Sequence, residues 1–372
     1  MDVIARLGEE FSFERDTSAQ TMLRMPWREA SSVSVTDALR DLVHTARYFQ
    51  REKPWELLRS DQPFGIRDPL TRRVILAVIN GGSGTDFGLS IFPGLDGLIT
   101  LNRLLQGLIT DTDEASLHGI RSIVCALVSR SNLTPGDRQL LVDAHCDATR
   151  GEPVPLFRSY MPGCLPWRLD PEEVRMLTLM LHQSVNVAWD CAMHPRLFEG
   201  GPKHTYLTRW NMRDGDEAPE AYEWASPDLG GPPPRIPTPD ELTSARLVRL
   251  PMDEHAEWEI ALASGAGALQ PTPHHRPELM LTYFVIDRAS DFIHHGFPLP
   301  SSTALDELQA QIVGVLLRLG FAPGRMLVRD VVVRSHLAPV AKLVGCRLQR
   351  VRSLPAVDAA SADLKEFTTR RG

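Results

Sequence analysis

From Val35 to Phe49, apolar residues return every three or four positions (Val35, Ala38, Leu39, Leu42, Val43, Ala46, Phe49). That is the period of one helix face and predicts an amphipathic helix over 35–52. Ser34 with Asp37 has the form of a capping box, and Pro54 stops the helix. The period then changes. Residues 73–79 (RVILAVI) and 87–92 (FGLSIF) are short apolar runs around GGSGTD, which predicts two strands joined by a glycine-rich turn. LDGLITLNRLLQG reads as a helix, IRSIVCALVS as a buried strand, and TPGDRQLLVDAHCD as a short helix with Pro135 near its start. Asp170-Pro171-Glu172-Glu173 supplies a cap, a first-turn proline and acids at the positive helix end, so a long helix follows from 171 to about 190.

The pattern breaks at 212–241, where prolines and acids replace the apolar repeat, and this stretch reads as a linker. Beyond it ARLVRLP and WEIALAS read as strands, and LMLTYFVID with DFIHHGFPL as a hairpin. Ser302 to Leu319 forms a helix ended by Gly320; RMLVRD is a strand, VVVRSHLAPVAKLVG a helix despite Pro339, CRLQRV a strand, and AASADLKEF a last helix. The expected organisation is a flexible segment 1–33, an N-terminal α+β domain 34–211, the linker 212–241, and a C-terminal α/β domain 242–372.

Composition changes this picture little. The chain has 372 residues, enough for two cores, and its 43% hydrophobic and 23% charged residues are ordinary for a globular protein. A formal charge of −7 excludes a protein that coats nucleic acid by its overall field and leaves room for a local basic patch. The acidic opening MDVIARLGEEFSFERD lacks the apolar core of a secretory signal, and no run approaches the roughly 18 apolar residues of a spanning helix. Five scattered cysteines read as reduced thiols. A soluble protein of the cytoplasm, without membrane contact, is the expectation.

Gly81-Gly82-Ser83-Gly84-Thr85-Asp86-Phe87-Gly88 invites a phosphate-loop reading, but the spacing matches neither dinucleotide nor Walker patterns, and a strand follows it. A hairpin turn is the better account. Cys191 and His194, with Cys164, Cys146 and His145, offer soft metal ligands or a thiol with a base, yet no second pair completes a zinc set, and buried structural cysteines are favoured. The pairs His274-His275 and His294-His295 occupy adjacent positions, which on a strand point to opposite faces and cannot easily hold one metal.

The carboxylates of the second half have more positional logic. Asp287 ends an apolar strand, Glu307 lies early in the following helix, Asp330 ends the next strand, and Asp358 or Asp363 belongs to the last helix. Brought together, Asp287, Glu307, Asp330 and Asp363 could hold two divalent cations, Mg or Mn, with Asp287 and Asp330 as the main ligands, and hydrolyse phosphodiesters. Each acid also has a plain reading, as a helix-start charge, a turn cap or a surface group. Over roughly 279–368 this order of elements and acids resembles part of the ribonuclease H-like fold. The resemblance implies acids on the first strand, the first helix, the end of the fourth strand and a late helix, binding the metals.

From 321 to 372 there are ten Lys or Arg against four Asp or Glu, among them Arg325, Arg329, Arg334, Lys342, Arg347, Arg350 and Arg352. Such a surface can meet phosphates, and nucleic acid is a candidate partner beside a merely solvated face. The chain also resembles an uncharacterised bacterial family with two adjacent domains of unknown function, through WELLRSDQPFGIRDP, FGLSIFPGLDGL, PGCLPWRLDPEE, and the stretch from YFVIDRAS through GFAPGRMLVRD to GCRLQRV. That resemblance supports domain boundaries and a bacterial cytoplasmic setting and carries no catalytic residues. In PGCLPW, Pro162, Gly163, Pro166 and Trp167 read as a rigid turn that packs the next helix. No motif establishes an enzyme. The sequence favours a non-enzymatic or catalytically degenerate protein that binds a macromolecule, with no cofactor, over a divalent-metal nuclease.

Overall fold

A computed structural model describes residues 37–82, 84, 86–107, 119–210, 221–227, 236, 238–272 and 275–371. The segment 1–33 and part of the stretch 212–241 lie outside these residues. The chain divides into two compact units, one containing Met25–Pro162 and Pro166–Gly231, the other Gly163–Leu165 and Pro232–Gly372. It is mixed α and β, with two sheets and, among the described residues, eight α-helices.

The first unit is built on strands β1 (Phe64–Arg67), β2 (Val74–Asn80), β3 (Gly88–Phe92), β4 (Ser122–Val128), β5 (Val154–Tyr160), β6 (Tyr206–Trp210) and β7 (Ala221–Ala225). They form one sheet in the order β5-β4-β3-β2-β1-β6-β7, antiparallel except where β1 meets β6. Helices α1 (Asp37–Glu52) and α4 (Pro171–Met193) cover one face, and α2 (Gly94–Leu105) part of the other. Strand β2 explains why its sequence is continuously apolar: Ile75, Ala77 and Ile79 face the core under α1 and α4, while Val74, Leu76 and Val78 face the core under α2. Helix α3 (Pro135–Asp143) starts with a reciprocal capping box between Thr134 and Asp137, and α4 with another between Asp170 and Glu173.

The glycine-rich stretch is the turn of the β2–β3 hairpin, where the Gly84 amide donates to the Gly81 carbonyl at 2.9 Å. Gly88 begins β3 because a Cβ there would strike the Cys125 carbonyl of the next strand. Ser83 and Thr85 lie outside the described residues.

Strand β7 corrects the linker reading. AYEWA sits inside 212–241 yet pairs with β6, with Tyr222 opposite Arg209 and Trp224 opposite Leu207. A local minimum of apolar content hid a sheet edge whose aromatics are half-buried. Trp167 pairs through its backbone with Ser159, so the PGCLPW turn is anchored to edge strand β5.

The second unit holds α5 (Glu241–Leu247), β8 (Met252–Leu269), β9 (Glu278–Asp287), β10 (Ile293–Pro300), α6 (Ser301–Leu319), β11 (Ala322–Val328), α7 (Val331–Leu343), β12 (Arg347–Arg350) and α8 (Pro355–Arg371). Its sheet runs β10-β9-β8-β11-β12; β8, β9 and β10 are antiparallel neighbours, and β11 is parallel to both β8 and β12. The core of α6 and α7 lies on one face with Trp258, Ile260, Tyr283 and Met326, and α8 covers Ala261, Phe284, Ile286 and Leu327 on the other. Side chains alternating along β8 thus serve two layers.

ARLVRLP is not a strand. Asp240 caps α5 by accepting from the Thr243 amide at 2.9 Å, and Leu247 turns into the core as a helical residue would. Gly320 ends α6 in the left-handed conformation, φ 77°.

Candidate functional site

The expected acids are placed one by one by this sheet. Asp287 ends β9 and accepts from the Ser290 amide at 2.9 Å, the Ser290 hydroxyl at 2.7 Å and the Ala289 amide at 3.2 Å, bracing the β9–β10 turn. Burial pushes its pKa up, but the Ser290 bonds, the Ala289 amide and the nearby His294 outweigh that and hold it below the usual value. Asp330 caps α7, accepting from the Val332 and Val333 amides at 2.6 and 3.1 Å. Glu307 is half-exposed on α6, and Asp363 is exposed on α8.

Asp287, at the end of β9, is level with Trp258 on β8, and β11 pairs with β8 up to Leu327 opposite Glu259, whereas Asp330 lies past the end of β11 as the N-cap of α7. A two-cation site needs bridging carboxylates around ions about 4 Å apart. Among the described residues, no group of three or more His, Cys, Asp or Glu is placed to hold a metal.

One acid that sequence reasoning passed over is wholly buried in this unit. Glu259, at 0% exposure on the central strand, accepts from the Ala356 and Val357 amides at the start of α8, at 2.9 and 3.2 Å. Arg288 supplies a countercharge at 3.6 Å. The signal was a lone acid inside the apolar run WEIALAS, which costs too much to bury without partners.

Open sheets with parallel strands tend to bind ligands beyond the carboxyl ends of those strands. Here the chain puts arginines there. Arg329 follows β11, Arg350 ends β12, Arg352 lies in the loop to α8, and with Val351 they line a concavity of about 420 Å³. Arg329 is held by Asp358 at 3.0 Å, and the Arg350 Nε donates to the Arg329 carbonyl at 3.2 Å. The Val351 amide donates to the Val328 carbonyl at 2.9 Å, which fixes the loop against β11.

The first amides of α7 are taken by Asp330 and those at the start of α8 by Glu259, and three guanidinium groups line the concavity. Among the described residues, no aromatic ring lines it. Arg325 pairs with Glu257, while Arg334, Lys342, Arg347 and Arg352 make no ion pair among the described residues.

The thiols offer little chemistry. Burial, and secondarily the charge of Asp190, pushes Cys191 up to about 12, and burial raises Cys125, Cys164 and Cys346 as well. His194 is the C-cap of α4, and Cys146 packs against the first core.

The His294-His295 pair departs from strand alternation. A register shift between Ile293 and His295 sets both rings toward one core: His294 lies 5.1 Å from the Trp258 ring and His295 5.7 Å from Tyr283. His295 also contacts Gln311 of α6 at 3.1 Å. His274 lies outside the described residues.

Residues 40–209 match a family model described as Domain of unknown function (DUF7309), and residues 243–365 match another described as Domain of unknown function (DUF6930). No curated protein and no solved structure matches the chain. Among the described residues, no helix is long and apolar enough to cross a membrane. The chain thus joins two adjacent domains, each similar to a family of unknown function.

Proposed function

We propose that the second unit is a ribonuclease H-like module that binds the phosphate backbone of nucleic acid without hydrolysing it, in the bacterial cytoplasm. Three antiparallel strands, a helix, a strand, a helix, a strand and a last helix, in the spatial order β10-β9-β8-β11-β12, are the arrangement this reading needs. In such a fold the central strand would carry the first metal-holding acid. Here that strand is β8, whereas Asp287 ends the neighbouring strand β9.

The observation that carries the reading is the convergence of Arg329, Arg350 and Arg352 on one concavity at the carboxyl ends of β11 and β12. Guanidinium groups match phosphate oxygens in geometry and stay charged at any working pH. Without a ring to stack on, contact is to the backbone rather than the bases, so binding is independent of sequence.

The test uses the full chain and a fluorescein-labelled duplex, read by anisotropy, with the Arg350→Ala, Arg352→Ala double variant beside it. Binding by the native chain that is lost in the variant supports the reading; equal binding by both overturns it. Incubation of the same duplex with Mg or Mn addresses the competing nuclease reading, which uses Asp287, Glu307, Asp330 and Asp363. Cleavage that stops in an Asp330→Asn variant would replace the proposal with that one.

A further inference from the structure

Arg329 reaches the concavity already engaged. Its NH2 group meets Asp358 Oδ1 at 3.0 Å and its NH1 group meets Oδ2 at 3.5 Å, so both carboxylate oxygens face the guanidinium fork. This is the two-pronged geometry a phosphate takes on arginine. Both side chains are half in solvent, 50% and 47% exposed, so the pair is weak enough to exchange for a ligand. Arg352 makes no ion pair among the described residues, and Arg350 is tied only through its Nε, to a carbonyl.

We infer that Asp358 acts as a built-in competitor for the phosphate site, occupying Arg329 in the free protein and limiting how tightly the concavity holds a nucleic-acid backbone. The inference rests on the proposed phosphate-binding reading. In that state the concavity offers two uncompensated cations, Arg350 and Arg352. With Asp358 neutralised it offers three.

Counterion release makes this countable. Each phosphate neutralised adds about −0.9 to the slope of log affinity against log salt, so the native chain is expected near −1.8 and Asp358→Asn near −2.7. Asn keeps the shape and removes the charge. The same change should tighten binding several-fold at low salt, because a negative charge next to the ligand is gone.

Arg329→Ala supplies the second arm. Combined with Asp358→Asn it should erase both the gain in affinity and the steeper slope. The probe is a labelled 20-base-pair duplex of arbitrary sequence, titrated at several salt concentrations, with thermal melting of each variant as a folding control.

A steeper slope and tighter binding in Asp358→Asn, cancelled by Arg329→Ala, is the expected result. Unchanged or weaker binding in Asp358→Asn means that Asp358 orients Arg329 instead of competing with ligand, and overturns the inference while the binding reading stands. No binding by the native chain or by Asp358→Asn overturns both.

Discussion

Removing the Glu259 carboxylate should loosen helix α8, because this one side chain holds the helix start to the central strand. Oε2 accepts both the Ala356 and the Val357 amide, and the residue is wholly buried. In Glu259→Ala those two amides lose their acceptor inside the protein, at roughly 1–3 kcal/mol for each buried unsatisfied group. Lost packing adds to this, whereas the Arg288 contact, at 3.6 Å to a 42% exposed arginine, adds little.

The expected cost is about 3 kcal/mol, a large part of the 5–15 kcal/mol typical of a domain. Glu259→Gln keeps an oxygen in place and loses only the charge at a helix N-terminus, about 1 kcal/mol. With two units in the chain, a single melting temperature is a poor readout. Hydrogen exchange followed on peptides from α8 reports the local opening directly. Exchange should rise about a hundredfold in Ala and several-fold in Gln. Equal protection in the Ala variant and the native chain would refute the latch.

Other expectations follow from the same geometry. Burial, opposed by the Gln311 bond at His295 and by Asp287 at His294, holds both imidazoles below their usual pKa, with Arg318 adding to the lowering. The folded state therefore resists protonation that the unfolded chain accepts: β10 keeps its full stability above about pH 6.5 and loses it as pH falls through that value. Exchange of peptides spanning β10 should accelerate at pH 5.5 and do so less in a His294→Phe, His295→Phe variant. Arg175→Ala leaves Asp68, which is 1% exposed and receives two bonds from that arginine, without its countercharge; a loss of about 3 kcal/mol in urea unfolding of the first unit is expected. Cys191, at about 12, should alkylate with iodoacetamide at pH 7.5 well below the rate of a free cysteine peptide; equal rates would contradict its burial.

What was legible in the sequence is what period and capping encode. The helices at 37–52, 171–193 and 301–319 announce themselves by repeating apolar positions, with first-turn acids beside Pro171 in the second and Gly320 closing the third. Strands β2 and β3 stand out because burial on both faces makes them apolar except for Asn80 and Ser90, which bond to each other.

The misses are edges. Strand β7 pairs on one side and buries its aromatics only halfway, so its composition resembles a loop, and β5 carries Arg158 because that arginine reaches Asp137 rather than solvent. ARLVRLP reads as a strand until the cap at Asp240 is noticed. The acids could be listed from the sequence but not placed, since placement depends on register. One register puts Asp287 at Trp258 and another puts Leu327 at Glu259, and no local pattern records either. The arginine concavity was visible as a basic tail and became a site only when β11 and β12 were seen to lie in parallel with their carboxyl ends together.

The most direct test of the central claim is the salt dependence of duplex binding by the native chain and by Arg350→Ala, Arg352→Ala. A log–log slope near −2 in the native chain that falls close to zero in the variant is the result expected if these two guanidinium groups carry the phosphate contact. The same slope in both proteins would place the contact elsewhere and contradict the account.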